Sequence, residues 1–168
     1  MPDVILVAYA TRYGSTVGLA DAIGGELKKT GVEVDVQPVS EVRDISRYRA
    51  VIVGSPIYMG KWLPEAQVFI ERNQQHLRGI PVAFFAVGLT VAGGAPDAAG
   101  KAEASMDQVR MLVNPMDTAV FPGRLESRRL SVADRAITRL IRAKTGDFRD
   151  LGAARTWARA LCAKIDPA

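Results

Sequence analysis

Residues 4–16 read VILVAYATRYGST, and the junction inside this stretch decides the fold. Val4 to Ala8 form a continuous apolar run, the pattern of a parallel strand buried on both faces. Beyond it, Gly18 to Thr30 places Leu19, Ala22, Ile23 and Leu27 at helical spacing. The junction between them carries the hydroxyls of Thr11, Ser15 and Thr16 around Gly14. Freed backbone N–H groups, hydroxyl donors and the positive end of the following helix together suit a phosphate. The loop has neither G-x-G-x-x-G nor G-x-x-x-x-G-K-[ST], so it matches neither a dinucleotide fingerprint nor a triphosphate loop. Taken alone, these residues serve equally as a turn in which Ser15 or Thr16 caps the helix.

Working outward, further strand-length apolar runs fall at Val32 to Val36, Ala50 to Gly54, Pro81 to Val87 and Thr118 to Phe121. Helical patterns occupy Pro64 to Leu77, with Ala66, Val68, Phe69 and Ile70, and Ala99 to Val113, with Met106, Val109 and Leu112. Strands alternating with helices predict parallel strands joined by right-handed crossovers. The expected fold is α/β: a doubly wound five-stranded parallel sheet with helices on both faces, in one domain over residues 1–168. Ser131 then begins an additional helix before the last one, which spans about Leu151 to Lys164. In the added helix Ala133, Ile137, Leu140 and Ile141 make a narrow apolar stripe, and Arg135, Arg139 and Arg142 take the other faces.

Composition narrows the function classes. The 168 residues are 48% hydrophobic, and no apolar run approaches the roughly 20 residues of a membrane span. No export signal is visible at the N-terminus, so a cytoplasmic location is expected. One cysteine, Cys162, and one histidine, His76, exclude a multi-cysteine or histidine-rich metal centre; no metal is expected, and neither residue is a catalytic candidate. The charge is +4, with 22 basic against 18 acidic residues, and the excess is local. Residues 124–149 hold eight basic and three acidic side chains, leaving fourteen against fifteen elsewhere. Such a face suits an anionic partner. The segment lacks interleaved aromatics and any recognised module, so nucleic acid is not expected.

In an open parallel sheet, ligands bind beyond the carboxyl ends of the strands where strand order reverses. The loop after the third strand, GSPIYMGKW from Gly54 to Trp62, puts Pro56, Ile57, Tyr58, Met59 and Trp62 on what reads as an irregular stretch. A flat aromatic ligand would use that surface; alternatively Tyr58 and Trp62 cover the end of the sheet. After the fourth strand VGLTVAGGAP, with Val87, Gly88, Leu89 and Gly93, lets backbone groups approach a ring edge. FPGRLE after the fifth strand sets Arg124 at the rim.

These loops together resemble the flavodoxin family, in which FMN lays its phosphate in the first loop and its isoalloxazine ring against the other two. The family's T-x-T-G-x-T loop is T-R-Y-G-S-T here: Thr11, Gly14, Ser15 and Thr16 match, Tyr13 replaces a hydroxyl residue and Arg12 adds a charge. Over nearly its whole length the chain is similar to the flavodoxin-like protoporphyrinogen dehydrogenases that pass electrons to quinones. The shared features are the S/T-R-x-G-x-T loop, a G-x-S/P-I-x-x-G stretch, the basic segment after the fifth strand, and GDFRDLGAARTWARAL leading into the final helix. The resemblance implies FMN held by Thr11, Arg12, Tyr13, Gly14, Ser15, Thr16, Ser55, Pro56, Ile57, Tyr58, Met59, Gly60, Val87, Gly88, Leu89 and Gly93.

It further implies an FMN-dependent oxidoreductase passing electrons from a reduced substrate to a quinone. The alternatives are a flavodoxin-type electron carrier and a non-catalytic module of the same fold. Low-potential carriers of this family resemble one another in being strongly acidic, whereas the ring loops here are neutral and their rim basic. That charge tolerates a negatively charged reduced flavin and favours two-electron chemistry. Arg124, Arg128, Arg129 and Trp62 are the candidate contacts to an anionic, tetrapyrrole-like substrate. The 124–149 segment reads either as a solvated helix face or as a peripheral contact to the inner face of an anionic membrane.

Overall fold

The structure is a computed structural model that describes residues 4–12, 14–88, 98–122, 124–125, 146–147 and 151–165. Strand β1 (Val4–Tyr9) leads into α1 (Ser15–Lys28), β2 (Glu33–Pro38), β3 (Tyr48–Tyr58) and the short β4 (Lys61–Trp62). Helices α2 (Pro64–Arg72) and α3 (Gln74–Leu77) precede β5 (Val82–Gly88). Then come α4 (Ala98–Ala104), α5 (Asp107–Leu112), β6 (Asp117–Pro122), β7 (Arg124–Leu125), β8 (Gly146–Asp147) and α6 (Leu151–Ile165). The main sheet has the order β2-β1-β3-β5-β6, all parallel, with β4 antiparallel on the end of β3. This is the doubly wound order that reverses between β1 and β3, so the five expected parallel strands are all present.

Alternation along each strand divides the core in two. Ile5, Val7, Ala50, Ile52, Ala83 and Phe85 face α1 and α6, where Leu19, Ile23, Leu27, Ala154, Ala158 and Leu161 are buried. Leu6, Ala8, Val51, Val53, Phe84 and Ala86 face the other layer, built on Phe69 and Ile70 of α2 and on Met106 and Val109. Each fully buried Leu, Ile or Phe is worth about 1.5–3 kcal/mol of transfer free energy. Continuous apolar strands are therefore what a sheet covered on both sides requires. An ion-pair set fastens the α1 layer: Glu26, 7% exposed, is met by Lys29 at 3.2 Å and by Arg159 of α6 at 3.6 Å.

Three elements differ from the sequence expectation. Pro64 to Leu77 is two helices, because the Asn73 amide donates to the Phe69 carbonyl at 2.8 Å and gives the chain an alternative to continued helix. Ala99 to Val113 divides at Ser105, whose hydroxyl donates to the Ala102 carbonyl at 2.5 Å. The stretch after Gly54 is regular rather than irregular, since β3 continues to Tyr58 and returns along β4. The expected helix from Ser131, with Arg128, Arg129 and most of the basic segment, lies outside the described residues; its flanks pair as a two-stranded antiparallel sheet, Arg124 opposite Asp147 and Leu125 opposite Gly146.

Candidate functional site

The first loop leaves the sheet one residue late, because the Ala10 N–H donates to the Gly54 carbonyl at 2.9 Å. Thr11 Oγ1 then accepts the Gly14 N–H at 2.9 Å. Gly14 has φ 84°, a left-handed conformation that a side chain would strain, and it stands at the N-cap of α1 without any side-chain cap bond. So the cap position falls to a residue that has no side chain to offer. The first turn carries no acidic residue, and its N–H groups have no intrahelical acceptor. Thr16 is fully buried in that turn, and its Oγ1 has no hydrogen-bond partner among the described residues. A buried orphan hydroxyl costs about 1–3 kcal/mol. An anionic oxygen at the helix N-terminus removes the cost and is favoured by the dipole of a 14-residue helix. Just before the loop, burial pushes the Tyr9 phenol above its usual pKa, with Asp21 and Glu41 adding to the rise, so the loop gains no charge from Tyr9 near neutrality.

The second component is the β3–β4 hairpin. Ile57 pairs with Trp62 and Tyr58 with Lys61, which leaves Met59 and Gly60 as a two-residue turn with φ 56° and 78°. Positive φ at both positions is the type I′ geometry that matches strand twist. The base of the hairpin satisfies its backbone internally, while the Trp62 Nε1 is buried without a hydrogen-bond partner among the described residues. Ser55, fully buried, donates its hydroxyl to the Pro56 carbonyl at 2.9 Å and accepts the Leu63 N–H at 3.0 Å. Its side chain thus holds the chain rather than facing a ligand.

Trp62 also differs from expectation. It is 2% exposed and packs edge-on against Phe84 at 5.3 Å between ring centroids, so a substrate cannot reach its ring in this structure. Alternation explains this: residue 62 pairs with the partly buried Ile57, whose side chain packs on the same core. Ile57 and Tyr58 are half-buried against that core, while Met59 is 68% exposed at the tip.

The two loops meet in a contact that sequence reasoning did not foresee. The Arg12 guanidinium lies over the Tyr58 ring, 4.2 Å from its centroid, within the range of a cation–π attraction. The available signal was an arginine and a tyrosine on adjacent loops of one sheet edge. Gly54 underlies the same edge: its Cα pairs with Tyr9 on one side and Phe85 on the other, and an added Cβ would lie 2.0 Å from the Phe85 ring. Pro56 pairs with Val87, and Gly88 with Pro122, so the loop after β5 starts beside the hairpin. Leu89 and Gly93 of that loop, together with Tyr13, lie outside the described residues. Arg124 begins β7 just beyond the end of β6.

The edge therefore brings together Thr11, Arg12, Gly14, Ser15 and Thr16 with Pro56, Ile57, Tyr58, Met59, Gly60, Val87 and Gly88. His76 and Cys162 lie elsewhere: the His76 Nε2 is 3.4 Å from the carbonyl of Tyr48, where β3 begins, and the Cys162 Sγ is 3.5 Å from Thr30 Oγ1 beyond the end of α1. With a buried hydroxyl unpaired among the described residues, an uncapped helix terminus and, on the adjoining hairpin, a half-buried tyrosine ring, these residues fit a phosphate attached to a flat ring. Among the described residues, no helix is long and apolar enough to cross a membrane.

Comparison with known proteins agrees with this geometry. The family model described as Flavodoxin domain matches residues 6–151. The chain is 28% identical over 156 residues to the protoporphyrinogen IX dehydrogenase [quinone] of Escherichia coli (strain K12), covering 86% of this chain and 82% of that protein. Among solved structures, a flavodoxin from the domain Archaea superposes with a TM-score of 0.62 at 17% identity, covering 96% of this chain and 98% of the other. Oxidised flavodoxin 2 from Bacillus cereus gives 0.61 at 19%, covering 95% and 98%. The order of the strands and a match over most of its length make this chain a member of the flavodoxin domain family.

Proposed function

We propose that the protein binds FMN non-covalently and acts as a quinone-linked flavin oxidoreductase of the protoporphyrinogen dehydrogenase type. The observation that carries the reading is the Thr16 hydroxyl, buried and unpaired in the uncapped first turn of α1. FMN, when bound, supplies the redox chemistry, accepting a hydride equivalent from a reduced substrate and passing two electrons to an acceptor. The chain's own residues bind and orient. Thr11 shapes the loop by holding the Gly14 N–H; Thr16 and the free amides of the first turn take phosphate oxygens; Tyr58 gives the ring a surface, bordered by Met59 and Gly60. Arg124, with Arg128 and Arg129, supplies positive charge for the carboxylates of a tetrapyrrole-like substrate. The basic segment 124–149 is suited to an anionic membrane surface where a quinone acceptor resides.

An enzyme is favoured over an electron carrier by the charge distribution, near neutral outside a basic segment, and by the similarity to the E. coli dehydrogenase. Two measurements test this in order. Protein incubated with FMN and desalted should keep a visible flavin spectrum; a colourless protein defeats both redox readings and leaves a binding module. Flavin-loaded protein should then oxidise protoporphyrinogen anaerobically with a menaquinone analogue as acceptor. Turnover no faster than buffer would turn the assignment to a flavodoxin-type carrier.

A further inference from the structure

We propose that Arg12 is a specificity-determining residue of this site: it competes with a flat ligand for the Tyr58 ring, and a phosphate on that ligand compensates for its displacement. The inference rests on the flavin reading above. Arg12 is exposed on the first loop, one residue after Thr11, with its guanidinium 4.2 Å from the Tyr58 centroid. Tyr58 is half-buried and packs against the core, so the ring surface under Arg12 is a surface that a stacked ligand would use. Such a ligand has to move the guanidinium. At an exposed site a cation–π attraction is worth about a two- to fivefold factor in an equilibrium. A ring without a phosphate gives Arg12 no new partner. One with a phosphate brings a dianion to the loop that contains Arg12, and a charge-assisted bond to phosphate is stronger than the cation–π attraction it replaces. The residue thus weakens the unphosphorylated ligand and strengthens the phosphorylated one, and specificity is that difference. Lysine, a point charge without a planar face, would reproduce the second effect better than the first.

The test is titration of the full chain with FMN and with riboflavin, followed by quenching of flavin fluorescence. Arg12→Ala should bind FMN about tenfold more weakly and riboflavin about two- to fivefold more tightly, so that the preference for FMN falls by about twentyfold or more. Arg12→Lys should keep most FMN affinity and still gain riboflavin affinity. In a Tyr58→Leu background, the riboflavin gain of Arg12→Ala should vanish. A loss of affinity for both flavins in equal proportion, or an unchanged preference, overturns the inference while leaving FMN binding by the wild type intact. Wild-type protein that binds neither flavin removes the underlying reading as well.

Discussion

The first loop and the β3–β4 hairpin adjoin at one edge of the sheet, and they are finished to different degrees. In the hairpin, Ser55 satisfies Leu63, Trp62 is inside the core and the turn has the geometry that strand twist demands. In the loop, Gly14 opens the helix without a side-chain cap and Thr16 keeps a buried hydroxyl unpaired. A chain that satisfies the backbone of one and leaves the other incomplete beside it has a finished scaffold next to the loop we propose as the phosphate receptor. The stability of the fold should therefore depend on the base of the hairpin, where Ser55 and Trp62 lie, and affinity for a phosphate on the loop.

The strongest challenge to that division is at Gly54, in the part of β3 below the hairpin that still pairs with β1 and β5. A Cβ there would lie 2.0 Å from Phe85 Cζ, and Phe85 cannot yield easily: it is fully buried, with Phe121 and Trp157 at 6.2 and 6.1 Å. Overpacking of this kind costs about 1–3 kcal/mol or more. Gly54→Ala should lower the thermal midpoint by many degrees, measured by circular dichroism, or prevent folding. A midpoint within a degree of wild type would mean that the sheet edge is not the rigid base described.

Next in size is Ser55→Ala, which leaves the Leu63 N–H buried without its acceptor. The expected loss is about 2 kcal/mol in a urea melt, with FMN affinity in the folded protein unchanged. A variant that keeps its stability and loses flavin would move Ser55 from the scaffold to the binding side, as the family resemblance first implied.

These two residues also indicate how far the sequence could be read. The parallel sheet covered on both faces was legible because Val4 to Ala8, Ala50 to Gly54 and Pro81 to Val87 are apolar on both faces. The doubly wound pattern directed attention to the loops after the strands' carboxyl ends, and the structure sets the first loop and the β3–β4 hairpin side by side. What each side chain does there was not legible. Ser55 and Thr16 are both small hydroxyl residues on the ligand edge, and nothing local distinguishes the one bonded to Leu63 from the one left unpaired. That depends on which backbone N–H folds back towards each, a tertiary matter. Trp62 likewise looked exposed while residues 54–62 read as irregular. The pairing of Ile57 with Trp62 is a fact of the hairpin register, and register is fixed by the two-residue turn at Met59 and Gly60.

Thr16→Val tests the receptor half, and its sign is opposite to that of ordinary core substitutions. Valine keeps the shape and removes the orphan hydroxyl, so in urea melts without flavin the protein should gain about 1 kcal/mol. Its FMN affinity should fall about tenfold, the loss of one bond to a charged group. If stability drops instead, the hydroxyl has a partner within the fold and the loop is not the incomplete element.

The smallest effect belongs to the one strained point of the hairpin. Met59 has φ 56°, a left-handed conformation that costs a residue with a Cβ about 1 kcal/mol. It is followed by Gly60, so Met59→Asn creates the Asn-Gly pair that type I′ turns favour, since asparagine adopts this conformation most readily after glycine. The variant should gain about 0.5 kcal/mol in a urea melt without flavin, since the side chain replaced is 68% exposed at the tip and gives up no core packing. A gain in stability accompanied by weaker flavin binding would show that methionine is kept there for its contact with the ring, and the tip of the hairpin would join Tyr58 in the receptor.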